Sequence, residues 1–180
     1  VQAASSPAES PAPAPPVHFA PESCRMAAKE VASHLGSELL AGTPEDGDSG
    51  PSLLMDESGL WLCGEDMRMR GDFARLIPRL RPHALARELL VKAARVKGVE
   101  RPCAVDATAG LGEDSLLLAA AGFEVDLYER DPVIFELLRD ALHRAESQGE
   151  LAHLVARMHL HEDDSMVALR VLNEGGARPD

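Results

Sequence analysis

The residues with the clearest chemical potential lie in the glycine-rich segment Asp106-Ala-Thr-Ala-Gly-Leu-Gly112. An apolar run from Cys103 leads into it, and a leucine- and alanine-rich stretch follows as far as Gly122, so the sequence predicts a strand, a tight turn and a buried helix. Glycine permits sharp bending and close approach of a ligand, and the N-terminus of the helix offers unpaired N–H groups and a positive dipole end. The segment therefore predicts a nucleotide-type binding turn.

Ser115 and Asp106 depart from the dinucleotide pattern Gly-x-Gly-x-x-Gly. Ser115 stands at the third glycine position, and Asp106 lies four residues before Gly110. Both departures favour an adenosine-bearing cofactor other than NAD. A nucleotide-binding oxidoreductase remains an alternative.

Glu129 supplies the second signal. It ends an alternating segment that begins at Phe123 and predicts a strand, and it lies 19 residues after Gly110. A carboxylate at that strand end can accept hydrogen bonds from both hydroxyls of a ribose. The alternative is an exposed acid with no ligand role.

The segments Val105-Asp-Ala-Thr-Ala-Gly-Leu-Gly112 and Leu127-Tyr-Glu-Arg-Asp-Pro-Val133 resemble class I S-adenosylmethionine-dependent methyltransferases. The closer resemblance is to the ribosomal small-subunit methyltransferase J family, whose members methylate the exocyclic N2 amine of a guanine in ribosomal RNA. The resemblance is strong from Cys103 to Leu138 and thinner over residues 53–97 and 155–180. It implies S-adenosyl-L-methionine as cofactor and ribosomal RNA or the small ribosomal subunit as partner.

The resemblance also implies a set of cofactor-binding residues. Those after the first strand would line the glycine turn, those after the second would hold the ribose, and those after the third would face the adenine. The set is Asp106, Gly110, Gly112, Glu113, Asp114, Glu129, Arg130, Asp164 and Ser165. The family usually has a basic residue where Glu113 stands and a small hydroxyl where Asp164 stands. Helix capping is the alternative role for the segment 163–165.

The catalytic residues implied by the resemblance form an Asp-Pro-x-x segment after a fourth strand. Its oxygens would accept hydrogen bonds from the guanine amine and orient it for attack on the methyl group. We expect this segment beyond Asp180, and we interpret the chain as the cofactor-binding half of a longer protein, without turnover of its own.

Three strands alternating with three helices are predicted from Cys103 onwards. Asp131-Pro132 is a typical helix start, and apolar residues keep helical spacing to Gly149. A strand at 157–161 and a helix at 166–172 follow. This order predicts an α/β fold, the first half of a Rossmann-like doubly wound parallel sheet, with ligand contacts at the carboxyl ends of the strands.

The chain before Cys103 predicts three further parts. Residues 1–22, rich in proline and alanine, predict a disordered tail, and 23–67 predict a small N-terminal α/β subdomain. Within it we expect a helix across 24–40, a hairpin of 53–55 with 60–63, and Trp61 as a core aromatic, with a base-stacking platform as the alternative role. Residues 68–101 predict a basic helical connector with one helix over 82–96, and 102–180 the cofactor-binding half.

Charge is concentrated in residues 68–101. The chain carries a net charge of −12, yet this stretch holds ten basic and three acidic residues. Such a stretch predicts either a docking surface for RNA phosphates or a solvated helix face. A methyltransferase acting on DNA or on a small molecule, and a non-catalytic binding module, stay open as alternatives.

The remaining composition excludes several classes of protein. The three cysteines, Cys24, Cys63 and Cys103, lack metal or redox spacing, and His159 and His161 share a strand face without a third ligand. No apolar run approaches the roughly 20 residues of a membrane span. We therefore expect no metal site and no membrane association, and a cytoplasmic location.

Overall fold

The computed structural model describes residues 13–44, 50–95 and 98–174. They form two β-sheets with helices between and beside them. The elements of the first part are β1 (Val17–Phe19), α1 (Arg25–Leu35), β2 (Leu39–Ala41), β3 (Ser52–Asp56), β4 (Gly59–Cys63), β5 (Arg68–Met69), α2 (Ile77–Leu80), α3 (Pro82–Leu85) and α4 (Leu89–Ala94). Those of the second are β6 (Cys103–Asp106), α5 (Glu113–Ala120), β7 (Glu124–Glu129), α6 (Pro132–Glu146), α7 (Ala152–Val155), β8 (Met158–Glu162) and α8 (Ser165–Glu174).

The first sheet has the strand order β2-β1-β3-β4-β5. Its interior strand β1 pairs in parallel with both neighbours, β2 and β3, and the β3–β4 hairpin and β5 are antiparallel. Val17 and Phe19 are buried against Ala28 and Val31 of α1. The hairpin was predicted correctly.

The position of β1 inside the first sheet, between β2 and β3, corrects the predicted tail. Residues 1–12 lie outside the described residues, but Val17–Phe19 forms a strand whose three side chains are all buried. Burial of this apolar surface offsets the entropy of ordering the segment. The predicted boundary after residue 67 also fails, because β5 pairs with β4.

Two helix predictions were wrong in extent. The helix predicted over 24–40 ends at Leu35, where Gly36 adopts the left-handed conformation with φ of 63°, and Leu39–Ala41 instead forms β2. The helix predicted over 82–96 divides into α3 and α4. At the break Glu88 has extended backbone, and its carboxylate accepts two hydrogen bonds from Arg79, each 2.9 Å long.

Trp61 is half-buried rather than a core aromatic. The guanidinium carbons of Arg68 and Arg70 lie 4.9 and 4.4 Å from its ring centroid. The indole N–H donates to the Ser58 hydroxyl at 3.1 Å. Its partners are therefore cationic and polar side chains of the neighbouring hairpin and strand.

The second sheet consists of β6, β7 and β8 in that order, all parallel. Val125 and Leu127 of β7 are fully buried in a core that includes Leu116 of α5 and Leu138 of α6. The alternation of strand and helix and the parallel pairing confirm the predicted α/β fold. Carboxyl ends of the three strands consequently meet at one edge.

Helix α6 joins the two sheets. Leu138 packs in the core of the second sheet, whereas its neighbour Leu137, also fully buried, packs in the core beneath the first. A side chain at Gly71 would come within 2.6 Å of Ala141, so the chain after β5 passes close to this helix. Within the described ranges, no helix is both long and apolar enough to cross a membrane.

Candidate cofactor site

Asp106 closes the turn that follows β6. One carboxylate oxygen accepts a hydrogen bond from the Thr108 N–H at 3.2 Å, and the other accepts one from the Ser115 hydroxyl at 2.6 Å. Ser115 is fully buried in α5. Asp106 thus binds the turn to the helix. From the sequence, Ser115 was noted only as the residue that replaces the third glycine, and no signal indicated that its hydroxyl bonds Asp106.

Gly110 and Gly112 have different roles in this turn. Both have positive φ, 54° and 75°. A Cβ at Gly112 would lie 2.7 Å from Leu138 and 3.2 Å from the Phe73 ring, so glycine there allows helix α6 to pack closely. At Gly110 the nearest atom would be the Thr108 carbonyl oxygen at 3.9 Å, so this side of the turn is open.

Glu129 connects the second strand end to the glycine turn. Its carboxylate accepts hydrogen bonds from the N–H of Gly110 at 3.0 Å and of Asp131 at 2.9 Å. A further bond runs from the Ala109 N–H to the Tyr128 carbonyl, at 3.1 Å. Because each carboxylate oxygen can accept more than one hydrogen bond, the fixed Glu129 can still accept two ribose hydroxyls.

The third strand end lies beside the second. Glu162 is the register partner of Glu129, and Asp163, Asp164 and Ser165 follow it. Asp164 accepts a hydrogen bond from the Met166 N–H at 2.8 Å, and Ser165 begins α8. Helix capping therefore accounts for one oxygen of Asp164, and its contact with adenine stays a prediction.

The other site residues lie around the same edge. Glu113 begins α5 and forms an ion pair with Arg75, a partner that the sequence did not indicate. Asp114 in the first turn of α5 and Arg130 directly after β7 are exposed. All nine residues therefore follow or end the three parallel strands.

Tyr128 and His161 lie near this edge, on the opposite face of the sheet from Glu129. Their rings stack with centroids 4.7 Å apart. Burial, together with the carboxylates of Asp126 and Asp163, raises the pKa of the Tyr128 hydroxyl. The phenol therefore stays neutral at physiological pH. Among the described residues, no three His, Cys, Asp or Glu side chains are grouped to hold a metal ion.

Comparison with known proteins identifies the family. The sequence profile of a family described as "Putative SAM-dependent methyltransferase" matches residues 44–180, most of the chain. The chain belongs to this methyltransferase family. Its cofactor is S-adenosylmethionine, as predicted from the sequence.

Similar curated proteins carry the name "Ribosomal RNA small subunit methyltransferase J". The protein from Acinetobacter baylyi is 40% identical over 129 residues, which cover 72% of this chain and 47% of the relative. That from Thioalkalivibrio sulfidiphilus is 40% identical over 173 residues, covering 91% and 65%. The chain thus spans about half to two thirds of the length of these relatives.

A solved structure shows the same fold. The crystal structure of an S-adenosylmethionine-dependent methyltransferase from Neisseria gonorrhoeae superposes with a TM-score of 0.67 at 24% identity, covering 91% of this chain and 66% of that one. The likeness extends over both sheets and the connection between them, because it includes nearly the whole chain.

The residues of the methyltransferase site fit an adenosine-bearing cofactor. Glu129 is held with acceptor capacity for a ribose, the turn at Gly110 is open, and the N-terminus of α5 faces the same edge. Arg75 offsets the charge of Glu113 beside this helix start. The edge can therefore hold a cofactor that carries a ribose.

Proposed function

We propose that the chain forms the cofactor-binding part of a methyltransferase that modifies small-subunit ribosomal RNA in the cytoplasm. The observation that carries the proposal is the carboxylate of Glu129, fixed by the N–H groups of Gly110 and Asp131 at the edge where the parallel strands end. The names of the curated relatives support the RNA substrate. The sequence resemblance makes a guanine N2 amine the expected acceptor.

The proposed roles of the residues follow from their chemistry. S-adenosylmethionine, when bound, supplies an electrophilic methyl group on a sulfonium. Glu129 would hold the ribose hydroxyls, and Asp164 would accept a hydrogen bond from the adenine amine. The bond between Asp106 and Ser115 fixes the glycine turn relative to α5. Binding of this kind fixes the methyl group for in-line attack, which is the main task in such a transfer.

A basic surface on α3 and α4 supports an RNA partner. Arg75 and Arg79 of the preceding segment are paired with Glu113 and Glu88. Four other basic side chains are exposed and form no ion pair with a described residue, namely Arg81, Arg87, Lys92 and Arg95. Unpaired cations on one short segment of an acidic protein suit a phosphate backbone, because each phosphate neutralised adds salt-dependent affinity.

Calorimetric titration of S-adenosylhomocysteine tests the cofactor. We expect binding to this chain in preference to NADH. Glu129→Ala should weaken it at least about tenfold, since charge-assisted hydrogen bonds to the ribose are lost. Glu124→Ala, at the opposite end of β7, is the matched control and should bind as wild type. Preference for NADH, or equal affinity of the Glu129→Ala variant, would contradict the proposal.

Binding of a small-subunit ribosomal RNA transcript at several salt concentrations tests the basic surface. The double variant Arg87→Gln with Lys92→Gln should bind more weakly and lower the salt slope by about 1.4 to 1.8. The variant Arg25→Gln with Arg170→Gln removes the same charge elsewhere and should change the slope little. Equal slopes for the two variants would exclude the basic surface as the RNA contact.

A further inference from the structure

His34 lies between two carboxylates that come from distant parts of the chain. Its Nδ1 is 2.5 Å from a carboxylate oxygen of Glu136, and its Nε2 is 2.8 Å from one of Glu162. His34 belongs to the last turn of α1, Glu136 to α6, and Glu162 ends β8. The imidazole therefore links the helix of the first sheet to a strand end of the second.

Glu136 is the fixed end of this bridge. It is only 1% exposed, and it also forms an ion pair with Arg139, with a nitrogen–oxygen distance of 2.6 Å. The Phe135 ring packs against His34 at 5.8 Å between centroids. Removing a partner from a buried carboxylate destabilises the folded protein strongly. The bond between Glu136 and His34 is therefore costly to break, and it holds the imidazole in one position.

The hydrogen-bond chemistry requires two protons in the bridge. Both imidazole nitrogens face carboxylate oxygens, and an ionised carboxylate can only accept. His34 must therefore be an imidazolium, or one of the two carboxyls must carry the second proton and donate it to the ring nitrogen that it faces. In each arrangement both ring nitrogens are hydrogen-bonded.

Glu162 lies where β8 ends and the predicted adenine-facing segment begins. It is the register partner of Glu129, and Asp163, Asp164 and Ser165 follow it directly. Its side chain is 36% exposed. Among the described residues, His34 is the one hydrogen-bond partner of its carboxylate. The His34 bond therefore adds a side-chain restraint to a strand end whose backbone is paired with β7.

We propose that His34 is a positioning residue for the cofactor. By holding Glu162, it fixes the start of the Asp163–Ser165 segment beside Glu129, so the first sheet takes part in shaping the cofactor site. The inference rests on the proposed function. It assigns to the N-terminal subdomain a role in cofactor affinity.

Four variants test the bridge by titration with S-adenosylhomocysteine. His34→Ala and Glu162→Ala should each weaken binding about fivefold or more, the lower end of typical coupling between sites. Glu162→Gln keeps an acceptor oxygen for Nε2–H and should bind nearly as wild type. The double variant His34→Ala with Glu162→Ala should be no weaker than either single variant, because both remove one bond. His143→Ala, an exposed imidazole on α6, is the control.

Amide hydrogen exchange of the cofactor-free protein gives a readout that does not require binding. His34→Ala should accelerate exchange over residues 162–166, and Glu162→Gln should not. Three results would overturn the inference. One is a His34→Ala variant with unchanged exchange and affinity. The others are additive losses of affinity in the double variant, and a Glu162→Gln variant that binds as weakly as Glu162→Ala. Failure of the wild type itself to bind S-adenosylhomocysteine would refute the proposed function, whereas the exchange experiment would still test the bridge.

Discussion

The bond from the Ser115 hydroxyl to Asp106 shows, at the scale of single residues, what replaces the third glycine of a nucleotide-binding turn. The donor is fully buried, and the acceptor also holds the backbone of Thr108. The same hydroxyl that counts against a dinucleotide site thus stabilises the turn that the cofactor requires. In the dinucleotide pattern the third glycine lets the helix pack closely on the strand. Here the Ser115 hydroxyl instead joins helix α5 to Asp106 at the end of β6.

Ser115→Ala should lower the free energy of unfolding by about 1–3 kcal/mol, because it leaves a carboxylate oxygen of Asp106 without its buried donor. Urea denaturation measures the effect. Ser147→Ala, which removes an exposed hydroxyl bonded to the Arg144 carbonyl, should change stability by less than about 0.5 kcal/mol. Equal effects of the two substitutions would show that the bond to Asp106 stabilises nothing.

Glu136 gives the protein a defined pH dependence. Burial raises the pKa of its carboxyl, and Arg139 and His34 oppose the shift only in part. The native state thus keeps this proton where the unfolded chain has lost it, so the contribution of Glu136 to stability falls as pH rises from the ordinary glutamate pKa to the raised one. The stability of wild type minus that of Glu136→Gln should therefore fall as pH rises through the range that begins at the ordinary glutamate pKa of 4.5.

Urea denaturation across that range measures the difference. Glu146→Gln, at the exposed end of the same helix, should give a difference that changes much less with pH. A stability difference for Glu136→Gln that grows with rising pH would contradict the direction of the pKa shift.

At the scale of elements, the two glycines of the turn between β6 and α5 face different surroundings. Gly112 packs against α6, and Gly110 faces open space where a ligand could approach. Gly112→Ala should cost about 2–5 kcal/mol of stability, because it combines a left-handed backbone with a contact of 2.7 Å to Leu138. Gly110→Ala meets no close atom and should cost only about 1–2 kcal/mol. Thermal unfolding checks this order, and the reverse order would contradict it.

The elements that the sequence predicted share one property. The strands β6 to β8 and helices α5 and α6 have apolar spacing that persists over a whole element, with a cap such as Asp131 accepting from the N–H groups of Val133 and Ile134. β1 and β2 have only three residues each, too few for any period, and they pair with strands more than ten residues away along the chain. Tertiary pairing decided these strands, and local pattern could not.

The site was predictable to a similar degree. Gly110 and Glu129 were named from spacing, and the structure joins them by a hydrogen bond. The spacing did not indicate the roles of Arg75 and His34. Arg75 pairs with Glu113, 38 residues away along the chain, and His34 pairs with Glu162, 128 residues away. Such pairs are set by the packing of elements, which no local feature of the sequence encodes.

At the scale of the whole molecule, α6 makes the two sheets interdependent. Leu137 and Leu138 are adjacent and fully buried, yet they pack in different cores. A helix shared in this way transmits any loss of packing from one core to the other. We expect the two sheets to unfold together rather than as separate units.

The single tryptophan allows this cooperativity to be measured. Trp61 lies in β4 of the first sheet, whereas far-UV circular dichroism reports all helices, most of which pack on the second. In urea the two signals should change with one midpoint. Leu137→Ala should lower both midpoints together and cost about 2–5 kcal/mol, since it leaves a cavity under the first sheet. A fluorescence midpoint that falls while the dichroism midpoint stays would show that the first sheet unfolds independently, and the bridge through His34 would then join two separately stable parts.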